Sequence, residues 1–162
     1  MSKDSKCIVV VRVRGASGIP EDIEYALNSL RLSKKYSATI FDKKPEIEGM
    51  LKKAKDMITW GKANERTIEL LLAERGKLTN GKKLTDEFVK EKLGLPSIRD
   101  LAKALIDSKI PLKKLWEAGM NRVFRLHPPK GGFKRSIKRQ YKSYGELGDR
   151  GEAINKLIEK MV

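Results

Sequence analysis

Three short apolar runs set the frame of this chain. Residues 8–13 (IVVVRV), 38–42 (ATIFD) and 57–60 (MITW) are too short for helices and rich in β-branched or aromatic side chains, as buried strands are. The segments between them have a helical period. After the loop of Arg14, Gly15, Ala16, Ser17 and Gly18, Pro20 suits a first helical position. Glu21, Asp22 and Glu24 put negative charge where the helix dipole favours it. Ile23, Ala26, Leu27 and Leu30 then share one face. Pro45 opens a second helix, in which Ile47, Met50, Leu51 and Ala54 repeat the spacing, and Gly61 ends the third strand. Residues 1–61 therefore spell βαβαβ, a pattern in which two helices cover one face of a sheet. The strand order is left open by the pattern.

From Asn64 onward the period is helical. Ile68, Leu71 and Leu72 form one stripe; Phe88, Val89 and Leu93 form another, with Thr85 as N-cap and Gly94 as stop. Ser97 and Asp100 make a capping box ahead of Ile98, Leu101, Ala102, Leu105 and Ile106. Pro111 starts a short helical stretch through Leu115 and Trp116. Residues 123–127 (VFRLH) alternate as a fourth strand, with Phe124 and Leu126 on one side, and Pro128 and Pro129 end it. Ile154, Leu157, Ile158 and Met161 mark an amphipathic closing helix. The fold class expected is α+β in three parts: a βαβαβ core over 1–61, a helical extension over 62–120, and over 121–162 a strand, a basic loop and a closing helix packed on the core.

Charge divides the chain differently. The 162 residues carry a net charge of +15, and residues 118–145 hold eight cations and no acid. Scattered lysines elsewhere read as a solvated face. Eight uncompensated cations repel one another across a Debye length of about 8 Å, which calls for a polyanion, and nucleic acid is the obvious one. The same segment contains Gly131 and Gly132, which let a backbone approach closely, and Phe133, Tyr141 and Tyr144, whose rings suit stacking on unpaired bases. It has too few apolar residues for a core, so it is expected to be extended unless something holds it. Strand and closing helix tether it at both ends, making it a loop rather than a tail.

Other chemistry finds little footing. No apolar run approaches the roughly 18 residues of a membrane span, and residues 1–6 lack the apolar core of a secretory signal, so a cytoplasmic location is expected. One cysteine, Cys7, and one histidine, His127, give no basis for a disulfide within the chain or for a Cys/His zinc site; no cofactor, metal or catalytic residue is assigned. Cys7 reads as an inert filler beside the first strand. Residues 76–83 (GKLTNGKK) approach a phosphate-binding P-loop, but a helix leads in and Lys83 stands where a magnesium-binding hydroxyl belongs. They read as a flexible turn between helices.

Four stretches carry a resemblance: the IVVVRVRG opening, GMLKKAKDMITWG at the third strand, FRLHPPKGGFK before the basic loop, and the closing GELGDRGEAINKLIEKM. In this order they resemble the archaeal-type family of ribosomal large-subunit protein thirty, whose eukaryotic counterpart is large-subunit protein seven. The resemblance implies a non-enzymatic ribosomal protein, a core allied to ferredoxin-like folds, large-subunit ribosomal RNA and neighbouring ribosomal proteins as partners, and no small-molecule substrate. Relatives commonly have Arg before the Gly-Met of the second helix, where this chain has Glu48. The RNA-binding residues expected are Arg12, Arg14, Lys34, Lys35, Lys52 and Lys53 from the core. From the basic segment they are Arg122, Arg125, His127, Lys130, Gly131, Gly132, Phe133, Lys134, Arg135, Lys138, Arg139 and Tyr141, with Phe133 or Tyr141 stacking. Two rivals are an RNA-modifying or nucleotide-using enzyme built around GKLTNGKK and a free nucleic-acid chaperone.

Overall fold

The computed structural model describes residues 7–15 and 18–162; residues 1–6, and 16–17 of the expected glycine loop, lie outside the described residues. Cys7–Arg12 forms strand β1, which is buried along its whole length. Its side chains alternate between two cores. Cys7, Val9 and Val11 join one cluster and Ile8 and Val10 the other, so both faces of this strand are covered and residues 7–11 can all be apolar.

Helix α1 (Glu21–Ser29) and helix α2 (Pro45–Lys53) supply the smaller core. Ala26, Leu27, Leu30 and Leu51 meet Ile8, Val10 and Ile58 there, on the one face that the sequence pattern assigned to two helices. Strands β2 (Ser37–Asp42) and β3 (Ile58–Lys62) flank β1, both antiparallel to it. Gly61 sits where a side chain would run into the Gly151 carbonyl, which ties the end of β3 closely to the chain's last turn.

The opposite face carries the larger core. Helix α3 (Glu65–Leu70) continues into a π-helical turn at Leu71–Arg75; α4 (Asp86–Leu93), α5 (Ile98–Ile106), α6 (Leu112–Glu117) and α7 (Ile154–Met161) follow. Ile68, Leu71, Leu101, Leu105, Leu115, Ile158 and Met161 pack with the outer residues of β1 and β2. The expected caps Thr85 and Ser97 are in place, accepting from the backbone N–H of Phe88 and Asp100 at 3.2 and 3.3 Å, and Asn64 caps α3 in the same way, accepting from Thr67 N–H at 2.8 Å. GKLTNGKK is a turn between helices, as expected, and backbone pairing ties it to the fold. Lys77 pairs with Lys83, Leu78 with Met120, and Thr79 N–H donates to Gly119 O at 2.8 Å.

The sheet also differs from expectation at its edges. The fourth strand shortens to β4 (Phe124–Arg125), paired with the start of β2. Residues Ser136–Gln140, expected as extended loop, form strand β5 instead, and Gly145–Asp149 form β6. The order across the sheet is β4-β2-β1-β3-β6-β5. An edge strand needs only one partner and no apolar faces. That is how a segment with Ile137 as its sole aliphatic side chain joins a sheet.

Candidate nucleic-acid interface

Strand directions bring sequence-distant cations to one end of the sheet. β1 arrives there at Arg12, while β2 and β3 leave from it, being antiparallel to β1. β4, antiparallel to β2, ends there at Arg125, opposite Ser37. β6, parallel to β3, starts there, and so does β5, with Ser136 opposite Gly145. This rim therefore gathers Arg14 after β1, Lys34 and Lys35 before β2, Arg125 at the end of β4, and Arg135 ahead of β5. Lys52 and Lys53 join from the C-terminal end of α2, just before β3.

These side chains are largely exposed, with Arg14 half-buried. Arg14 Nη1 donates to Asp56 O at 3.3 Å, and Lys35 Nζ stands 4.9 Å from the centre of the Tyr36 ring. A Cβ at Gly15 would lie 3.3 Å from the Lys35 side chain, so this loop passes close to it. Arg12 requires a correction. Its side chain is buried, and it donates from Nε to Arg14 O at 2.8 Å and from Nη1 to Leu32 O at 2.9 Å. Burial lowers its pKa, with Glu24 acting in the opposite sense. Its position at the end of an all-buried strand turns the guanidinium inward to cap two carbonyls, so no charge is presented to a phosphate.

The segment after β4 runs along the end of α7, where His127 N–H donates to Met161 O at 2.9 Å and Lys130 N–H to Lys160 O at 3.1 Å. The His127 and Lys130 side chains remain exposed. Gly131 and Gly132 have φ of 78° and 75°, a conformation that glycine adopts without strain, and turn the chain. Phe133 is half-buried against the larger core, which leaves its ring less open to a base than the exposed Tyr144. Lys134, Arg135, Lys138 and Arg139 point outward.

What holds β5 was not anticipated from the sequence. Only four residues return the chain from β5 to the parallel β6, far fewer than the dozen or so of an ordinary crossover. A bulge in the pairing and the left-handed Tyr144, φ 60°, make the return. Added side chains at Gly145 and Gly148 would collide with the Arg139 carbonyl and the Gln140 carboxamide. Gln140 Nε2 donates to Lys55 O at 3.2 Å and to Asp56 Oδ1 at 3.3 Å.

Beneath lies a buried ion pair. Arg150 Nη2 meets Glu146 Oε2 at 2.9 Å and also bonds the Glu146 carbonyl, while its Nε donates to Thr59 Oγ1 at 2.8 Å. Glu146 Oε1 accepts from Arg135 N–H at 3.2 Å. The Tyr141 ring has Arg150 at 5.1 Å and Arg135 at 5.3 Å, so two guanidiniums already engage it. Tyr144 is 80% exposed, with Arg135 at 5.8 Å. The signal for this arrangement was the Gly-Glu-Leu-Gly spacing followed by Arg four residues after the Glu, legible only once β5 is known to lie against it.

Two expected residues fall elsewhere. Arg122 lies before β4, away from the rim, 6.0 Å from the Trp116 ring. Glu48 belongs to the first half of α2, also far from the rim, with Lys43 Nζ at 3.9 Å.

A field of flexible cations around one exposed aromatic suits phosphate neutralisation with base stacking. Comparison with known proteins narrows the reading. Residues 8–58 match the family described as Ribosomal protein L30p/L7e. The large ribosomal subunit protein uL30 of Staphylothermus marinus is 49% identical over 158 residues, covering 94% of this chain and 96% of that protein. Its namesake in Aeropyrum pernix is 45% identical, covering 94% and 97%, and that in Ignicoccus hospitalis 42%, covering both chains in full, 100%. With identity of this level over nearly its whole length, the chain belongs to the ribosomal protein L30p/L7e family.

Proposed function

We propose that this protein is a structural constituent of the large ribosomal subunit in the cytoplasm, where it neutralises and positions folded large-subunit ribosomal RNA beside neighbouring ribosomal proteins. The observation that carries this reading is the gathering of Arg14, Lys34, Lys35, Arg125 and Arg135 at one sheet end from four separate stretches of chain. The surface comprises these residues with Lys52, Lys53, His127, Lys130, Gly131, Gly132, Lys134, Lys138 and Arg139. Tyr144 is its stacking ring, in place of Phe133 and Tyr141. Backbone contacts position the protein, and RNA shape supplies specificity. The β2-β1-β3 unit with its two helices is read as allied to ferredoxin-like folds, carrying a helical extension over 62–120 and the basic segment over 121–162.

Salt tests the function. If about eight phosphates are neutralised, affinity for deproteinised large-subunit ribosomal RNA falls by roughly 10³ to 10⁵ between 50 and 200 mM salt, taking the DNA scale as guide. An affinity that stays flat over this range refutes the electrostatic account. Tagged protein that sediments away from large subunits refutes the ribosomal one.

A further inference from the structure

Beside α6 the surface opens into two adjoining cavities that the rim residues do not enter. One, of about 320 Å³, is walled by the second half of β2 and by Leu112; the other, of about 500 Å³, is walled by the end of α1 and the stretch before β4. Arg31, Trp116 and Arg122 line both. The opening has a structural cause: β4 pairs only with Ser37 and Ala38, so among the described residues no strand lies beside β2 beyond them on that edge.

Three features give the cleft its chemistry. Trp116 is half-buried, with the Arg122 guanidinium 6.0 Å from its ring. Arg31 follows the end of α1 with φ 61°, a place where glycine is the usual residue and where an arginine is strained. Asn28, Ser33 and Asn121 add amide and hydroxyl groups to the larger cavity. The carboxylate of Asp42 on the wall is outnumbered by Arg31, Lys44, Lys113 and Arg122. An aromatic ring in a cleft that two arginines also line, with amides at hand, matches a nucleotide: a π-face, a phosphate and a hydrogen-bonding base edge. An acidic peptide would use the cations and leave the amides without a purpose.

We propose that this cleft holds one unpaired nucleotide of the bound RNA, its base against Trp116, its edge toward Asn28 and Asn121, and its phosphates at Arg31 and Arg122. The proposal rests on the RNA-binding reading above and adds a second locus, away from the rim.

The chain has two tryptophans, so Trp60→Phe leaves Trp116 as its sole indole fluorophore. This variant, full length, is titrated with deproteinised large-subunit ribosomal RNA. Stacking quenches Trp116 emission at saturation. Trp116→Ala weakens binding by about 5- to 150-fold, the range for one stacked base, and Trp116→Phe restores most of it. Arg31→Gly relieves the strained backbone, so it keeps its melting temperature while losing affinity, a result that misfolding does not produce. Unchanged emission from an RNA-saturated protein, or undiminished affinity in Trp116→Ala, overturns the cleft proposal and leaves the rim standing. Emission that responds only when other large-subunit proteins are added assigns the cleft to a protein partner and also overturns it. Absence of any RNA binding by the unaltered protein refutes the parent reading instead.

Discussion

The pair Glu146 and Arg150 is the point at which the basic segment depends on the fold, and Glu146→Gln probes it with almost no change of volume. The two residues are 7% and 8% exposed. The substitution leaves the Arg150 guanidinium buried with Thr59 Oγ1, the Glu146 carbonyl and the Tyr141 face, and no counter-charge. Removing one partner of such a pair costs about 3–5 kcal/mol, against a total stability of about 5–15 kcal/mol for a domain. At about 2–4 °C per kcal/mol for this size, the melting temperature drops by about 6–20 °C. Thermal melts and urea titrations of the isolated protein measure it. Replacing both partners, Glu146→Leu with Arg150→Met, removes the stranded charge and recovers a large part of the loss, so the double-mutant cycle shows strong coupling. A Glu146→Gln protein melting within about 1 °C of the parent would refute the argument that this pair fastens β5. A double variant whose loss equals the sum of the single losses would refute the coupling.

Other expectations follow from the same geometry. Arg12→Met strips two carbonyls of their donor, costing about 1–3 kcal/mol for each acceptor left buried, and leaves RNA affinity of the folded protein unchanged. A loss of affinity at unaltered urea midpoint would return Arg12 to the interface. Tyr144→Ala lowers RNA affinity by about 5- to 150-fold with little change in melting temperature, whereas Phe133→Ala chiefly lowers the melting temperature; filter binding and thermal melts separate the two, and equal affinity in Tyr144→Ala contradicts the stacking assignment. Burial pushes the Cys7 thiol up to about 12, with Asp42 adding to the rise. Because the folded state holds that proton more tightly than the unfolded chain, the contribution is full below the unfolded pKa of about 9 and is lost as pH climbs toward 12. Cys7→Ala should therefore flatten part of the alkaline fall in stability, and an identical pH profile for both proteins would show that the thiol contributes nothing.

The βαβαβ start, the capped helices and the closing helix were legible because each is set by local spacing. Residues 8–11 (IVVV) can be uninterruptedly apolar only in a strand covered on both faces, and Thr85 and Ser97 announce helix starts by side-chain reach alone. The site was legible in part. Charge density pointed to residues 122–142 because net charge is a property of composition, indifferent to how the chain is folded.

Which of those residues meet, and which way each faces, was settled by pairing at long range. Arg12 and Arg14 differ by two positions in sequence, yet one caps buried carbonyls and the other lies half-exposed at the rim. β5 exists because Gly145, Gly148 and a buried carboxylate receive it, contacts that no period in KGGFKRSIKRQYKSYG encodes. Sequence by itself determined the element types and the sign and amount of charge, since both follow from neighbours along the chain. Tertiary structure alone decided the common end of the sheet, the engaged Tyr141 and the exposed Tyr144, since side-chain exposure is fixed by whatever packs across from it.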